Sequence, residues 1–381
     1  LLVSNIGSGL QLTATSFLLY RLTGSSVDLG INAALQFLPM LLLGAWAGAF
    51  ADRFDRRRTT VITQSLLALQ AIVLGVCDVA GVINVELVFV LTGLLGIIGA
   101  IDNPSRRGLV TELVPPHEIG NAMSLNTAVM TGSRIFGPAL AATFVGPLGT
   151  GWLFIINGLS YVFMLYGVVG LRKSEMFTPE PRPAGGTPVR DGIRFVRTHQ
   201  RLFPLFVVFS LVSTFAFNYG VSLPKLSDTQ WGNAEYFGWV LAVTSIGSLI
   251  GALATARLHM TTYTWVASAA LMLGVANVGM AIAPNVWVAY VWAIPLGAGG
   301  AAMIAGANTI ITQEAPPDMR GRMLALTAVA FLGSTPIGGP ITGWVADYVS
   351  VSWSLAYGGI ITLVAAVFMF VWIWVKDIEH A

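Results

Sequence analysis

Charge is the property this sequence has least of. Of its 381 residues, 10% are Asp, Glu, Lys or Arg and 55% are hydrophobic. A water-soluble domain carries about 25% charged residues, so this chain has too little polar surface to face water all round. Cysteine is almost absent: Cys77 stands alone in an apolar stretch, so no internal disulfide exists and it reads as a small packing residue. Lys173, Lys225 and Lys376 follow Arg, Pro and Val. A phosphate-cradling loop needs Gly before Lys, which excludes an ATP-driven motor of that kind. His117, His199, His259 and His380 lie outside the hydrophobic runs, and no HExxH pattern occurs. That excludes a zinc-protease arrangement. No metal and no cofactor is expected.

What the chain does have is long uncharged runs: Leu29 to Ala51, Leu87 to Ile101, Trp265 to Thr312 and Met323 to Ala346. A helix crosses a bilayer in about 20 apolar residues. The fold class is therefore an all-α polytopic membrane protein. Twelve transmembrane helices fit, at 1–20, 27–51, 59–79, 86–103, 120–145, 151–171, 202–221, 235–256, 262–283, 286–311, 323–346 and 351–375. This threading puts 17 of the 20 Lys and Arg on one face, leaving Arg21 and Lys225 opposite and Arg134 within a helix. The rich face is cytoplasmic by the positive-inside rule. Asp28, Asp78, Glu86, Asp228, Glu235 and Asp347 fall on the outer side. Leu1 already lies in a hydrophobic segment, so the first helix is read as truncated at its start.

The densest signal is the run Gly44 to Arg58, where a glycine-spaced apolar helix stops in a knot of Asp52, Arg53, Asp55, Arg56, Arg57 and Arg58. Such charges cannot sit in hydrocarbon, so two membrane helices meet there in a tight cytoplasmic turn. Residues 172–201 form a different break. Four prolines and two glycines fill its first part, and Ile193, Val196 and Phe203 alternate with arginines in its second. It is either a basic amphipathic helix on the inner leaflet or a solvated linker. It divides the chain into 1–171, a linker 172–201, and 202–381.

The two parts repeat. Thr111 to Gly120 matches Thr312 to Gly321, an offset of 201 (312 minus 111), and Gly132-Ser133 matches Gly333-Ser334 at the same offset. Gly137-Pro138 recurs as Gly339-Pro340, and Gly44 and Gly48 as Gly247 and Gly251. Parallel repeats of six helices are the architecture of transporters with a site at the repeat interface.

Taken together, these residues resemble the major facilitator superfamily. Gly48 to Arg58 resembles its signature between helices two and three. Tyr20 to Ser25, with Asp102 to Arg106 and Leu113 to Pro116, resembles the branch of enterobactin exporters and macrolide efflux proteins. Gly137-Pro138 resembles the exporter element of the fifth helix, though Ala141 and Ala142 follow where two glycines are usual. The fourth helix lacks the mid-membrane arginine motif of many proton-coupled antiporters. The resemblance implies two pseudo-symmetric six-helix halves and a multi-pass protein of the bacterial inner membrane. It implies secondary active transport by alternating access, exporting a drug, siderophore or secondary metabolite on the proton gradient. An importer, or a sensor or scaffold on the same fold, is the alternative. The expected partners are a small-molecule substrate, protons and the lipid bilayer, with no nucleic acid, and the chain is expected to act as a monomer.

Candidate residues follow. Gly48, Asp52, Arg53, Arg56 and Arg57 form the gating motif. Asp52 ends a helix, where the macrodipole disfavours an anion, and the resemblance implies that it latches onto the start of helix eleven near Gly321 and Arg322. Arg134 is a charge within a helix, so it reads either substrate or a coupling carboxylate, or makes a structural ion pair. Asp102 is the candidate for the coupling proton, or else pairs with Arg106 four residues on. Asn103-Pro104 is expected to start a new short helix there. Asn126 and Gln11 are candidates to line the substrate cavity, among other buried polar residues that include Asn5, Gln64 and Asn157. Gly137, Pro138, Gly339 and Pro340 are expected to kink helices and let them approach.

Overall fold

The structure, a computed structural model, describes residues 1–177, 188–258, 260–316 and 319–376, with side chains described throughout except at 45–53, 124, 127–128, 131, 188–191, 321, 325 and 332. The described residues hold fourteen α-helices and no strand. The first five are α1 (Leu2–Thr23), α2 (Ser26–Arg53), α3 (Arg56–Val79), α4 (Val85–Glu112) and α5 (Ile119–Val169). After α6 (Pro188–Thr198) come α7 (Leu202–Phe215), α8 (Tyr219–Trp231), α9 (Tyr236–Ala256), α10 (Tyr263–Ala281) and α11 (Val286–Glu314). The chain closes with α12 (Arg320–Leu332), α13 (Thr335–Tyr348) and α14 (Val351–Lys376). Ten stretches among the described residues are long and apolar enough to cross a membrane. Two of them join helices, α7 with α8 and α12 with α13.

Local chemistry sets several ends. Asn84 and Asn285 accept the N–H groups of Leu87 and Val288 at 2.9 and 3.0 Å, and Thr262 accepts that of Trp265 at 3.1 Å. These are side-chain caps on helix amino ends that would otherwise hold unpaired donors. Gly24 and Gly232 take positive φ of 63° and 78° to close α1 and α8.

The helices expected at 120–145 and 151–171 both lie within α5, which is broken between them at Gly149, whose φ of 75° and ψ of 166° are not helical. A left-handed residue redirects the chain there without a loop. One expectation is corrected: no new helix starts at Asn103-Pro104, and α4 runs through Pro104. Proline removes one backbone N–H, and side chains shore up the turn: Asn103 Nδ2 donates to the Gly99 carbonyl and Ser105 Oγ to that of Ile101, both at 2.9 Å. A helix, α6, does form within 172–201; Val196 is buried, while Ile193 and Phe203 are exposed. Gly192 of α6 lies against Met323 of α12.

The chain divides into two compact units, 1–24 with 34–183, and 25–33 with 184–381. In the first, α1 crosses α5 where Gly9 meets Gly137, and a Cβ on Gly137 would sit 2.7 Å from the Gly9 carbonyl carbon. Helix α3 crosses α5 where Gly75 meets Gly151. In the second, Gly247 and Gly251 of α9 face the Ile294 and Ala298 carbonyls of α11, while Gly274 of α10 meets Gly359 of α14. Lipid offers no hydrophobic drive to pair helices, so close backbone contact at small residues does the work. Gly44 departs from this pattern: nothing lies within 4 Å of where its Cβ would be.

Candidate functional site

A polar cavity of about 210 Å³ opens inside the first unit. Helix α1 lines it with Asn5, Ser8, Gln11 and Thr15, spaced three or four apart and so on one face of the helix. Helix α3 adds Gln64, α4 adds Asp102 and Arg106, and α5 adds Tyr161. At about 30 Å³ per water molecule, the space holds about seven. Pockets for drug-sized ligands run to about 300–1,000 Å³, so this chamber suits water, protons or one functional group of a larger molecule.

Asp102 anchors the chamber and is 4% exposed. A bare carboxylate there would be severely destabilised, and three neighbours compensate. Its Oδ1 accepts from Thr63 Oγ1 at 2.7 Å and Gln64 Nε2 at 2.9 Å. Its Oδ2 faces Arg106 Nε at 3.6 Å, one helical turn on. Arg106 Nη1 also donates to Asn5 Oδ1 at 3.0 Å. The charge pair is thus held by α1, α3 and α4 together.

A second layer of hydrogen bonds fixes the walls. Gln11 Nε2 donates to Gln70 Oε1 at 3.0 Å, and Gln70 Nε2 to the Leu91 carbonyl at 3.2 Å. Asn157 Nδ2 donates to Gln11 Oε1. Ser8 Oγ and Tyr161 Oη lie 3.1 Å apart, and Ser4 Oγ donates to Gln64 Oε1 at 3.5 Å. Buried networks of this kind rigidify a site when each member is satisfied.

The structure brings Gln11 and Asp102 into one chamber. Arg134 and Asn126 do not line it. Arg134 is exposed on α5, and Asn126 Nδ2 lies 3.9 Å from Met130 Sδ on its own helix. Gly48, Asp52 and Arg53 lie in the last turns of α2, and their side chains fall outside the described residues. Arg56 pairs with Glu112 of α4 at 3.0 Å and runs alongside Gly108, where a Cβ would meet its guanidinium. Arg57 donates to the Val168 and Val169 carbonyls at 2.9 and 2.6 Å, a cation on the carboxyl end of α5. Asp55 accepts the Arg58 N–H at 3.1 Å and pairs with Lys173 at 2.8 Å. Those two hydrogen bonds, Lys173 foremost, hold its carboxyl below the ordinary value. Each of Arg56, Arg57 and Asp55 therefore ties α3 to its neighbours in the first unit.

Sequence reasoning missed Tyr161, which lines the chamber, and Thr63 and Gln70, which hydrogen-bond to its lining residues Asp102 and Gln11. It also missed that Asp347 and Lys225, both placed on the outer side, meet at 2.6 Å. Opposite charges on one side of an otherwise charge-poor chain were the available signal.

The chain matches the family described as transmembrane secretion effector over residues 1–381. It is 26% identical to the uncharacterized MFS-type transporter YfiS of Bacillus subtilis, across 90% of this chain and 85% of that protein. It is 27% identical to the multidrug efflux pump Tap of Mycolicibacterium fortuitum, across 91% and 87%. With the staphyloferrin A transporter of Staphylococcus aureus it shares 26%, across 60% of this chain and 58% of that one. Its fold is similar to that of the nucleoside transporter NupG, with a TM-score of 0.76 at 12% identity, covering 97% of this chain and 98% of that one. A polytopic helical chain with a polar chamber and a family match along its whole length is a membrane transporter and not an enzyme, and it belongs to the transmembrane secretion effector family of the major facilitator transporters.

Proposed function

We propose that this protein exports a small organic molecule, of the drug, siderophore or secondary-metabolite kind, by alternating access driven by the proton gradient. Two similar proteins support the substrate class: one carries the name multidrug efflux pump and another that of a siderophore transporter. Twelve crossings follow if α1 is added to the ten apolar stretches and α5 is counted twice across Gly149. The halves are then 1–171 and 202–381, joined by 172–201, and the protein works as a monomer.

The observation that carries the reading is the buried Asp102–Arg106 pair in the chamber. When Asp102 is ionised, its charge and that of Arg106 cancel. A proton entering the chamber is taken up by the Asp102 carboxylate. Asp102 is then neutral, and Arg106 is left as a net positive charge held by Asn5. Protonation thus changes the chamber's charge by one and loosens the tie between α1, α3 and α4. A ligand with a cationic group and the proton then exclude one another electrostatically, which is the condition for exchange. Such a change biases a two-state equilibrium only through differential binding to the two states. Asp52 serves as the cytoplasmic latch, with Arg53, Arg56 and Arg57 setting the turn. Arg134 and Asn126 contact the substrate rather than the proton.

The test is accumulation of a panel of lipophilic drugs and siderophores in an efflux-deficient bacterial host. Cells expressing the protein should hold less of at least one compound, and a protonophore should erase the difference. Asp102→Asn, at equal membrane abundance, should lose it as well. Wild-type export by Asp102→Asn would sink the coupling role.

A further inference from the structure

The amino end of α2 is capped by a residue far away in sequence. A helix begins with four N–H groups that lack intrahelical partners and carries about half a positive charge there. In α2, Ser25 Oγ accepts one of them, from Asp28, at 3.2 Å. Two others, those of Ser26 and Val27, go to Asp347 of α13, at 3.0 Å on Oδ1 and 2.9 Å on Oδ2. Ser25 Oγ also donates to Asp347 Oδ2 at 2.8 Å. Lys225 of α8 completes the set at 2.6 Å on Oδ1. One carboxylate on α13 thus binds the amino end of α2, the Ser25 hydroxyl beside it and an ammonium of α8.

The seam beneath this cap is unlike a permanent core. Gly30 of α2 lies against the Gly339 backbone, and Gly343 of α13 lies against the Ser26 carbonyl. Backbone meets backbone at these points, with the Ala33 methyl beside Gly339. Ser26 Oγ is buried at the seam without a hydrogen-bond partner. A buried polar atom left unpaired costs free energy that hydration would restore, so separation of this seam is partly compensated. The first turns of α2, residues 25–33, group with the second unit, whereas the same helix from residue 34 groups with the first.

We propose that Asp347 is an outer clamp. It holds the amino end of α2 while the outer side is closed and must release it when that side opens, with Lys225 tuning how tightly. This rests on the alternating-access reading. Asp347 is a positioning residue and touches no substrate.

The test uses the protein in native membranes, with Cys77→Ser to remove the only thiol and Ser26→Cys placed in the seam. A membrane-impermeant maleimide is added from outside and the labelling rate is measured without substrate. Asp347→Asn should speed labelling about tenfold, as expected for loss of charged hydrogen bonds. Lys225→Gln leaves the backbone cap intact and should give a smaller rise. A control cysteine at Asn277, buried elsewhere in the second unit, should stay unlabelled in every background. An unchanged rate at Ser26→Cys in both variants overturns the clamp. So does an equal rise at both cysteines, which would mean general loosening. Because no substrate is present, the clamp can fail while the accumulation assay succeeds, and the reverse.

Discussion

Asp102 is buried and Arg106 half-buried, so each depends on the other, beside its hydrogen bonds, to offset its charge. Breaking such a pair on one side costs about 3–5 kcal/mol, whereas neutralising both costs far less. Arg106→Gln alone should therefore lower the thermal unfolding midpoint in detergent more than the Asp102→Asn/Arg106→Gln double variant does. Additive losses in the two single variants would show that the pair is uncoupled. The i to i+4 spacing made this contact legible in the sequence, as did the polar residues Gln11, Gln64 and Asn157 standing in apolar helices. Thr63, Gln70 and Tyr161 were not legible, since their side chains meet Asp102, Gln11 and Ser8 only through the crossing angles of α1, α3, α4 and α5. Arg134 shows the opposite case. It is conspicuous in sequence as a charge within a membrane helix, yet it stands outside the chamber.

At the scale of the element, glycine sets the contacts. Gly137 of α5 and Gly9 of α1 meet backbone to backbone, so Gly137→Ala would push a methyl into a space already filled. Overpacking of this kind costs about 1–3 kcal/mol, and the unfolding midpoint should fall accordingly. An unchanged midpoint would show that the two helices can part freely. The same substitution at Gly44, with open space around it, should be nearly neutral. The sequence spacing presented Gly44 and Gly247 as equivalents; only tertiary contact distinguishes them. Proline misled in a related way. Pro104 marked an expected helix start, but Asn103 and Ser105 donate to carbonyls of the preceding turn, and α4 continues. Gly149 falls in the gap read between the helices at 120–145 and 151–171, and its positive φ makes the turn there without a loop.

For the whole molecule, composition alone fixed the class: 10% charged residues leave no choice but a membrane. The repeats at an offset of 201 were read from residues that the structure places at corresponding helix ends, Thr111 near the end of α4 and Thr312 near the end of α11. Residues 25–33 group with the chain's far end, and Asp347 accepts hydrogen bonds from Ser25, Ser26 and Val27 there. The central claim is that Asp102 carries the proton that drives export. Its most direct test is proton movement in proteoliposomes loaded with a pH-sensitive dye, using a substrate identified by the accumulation panel. Wild-type protein should move protons only when that substrate is added, and Asp102→Asn should move none while still binding it. Substrate-dependent proton flux that persists in Asp102→Asn would contradict the account.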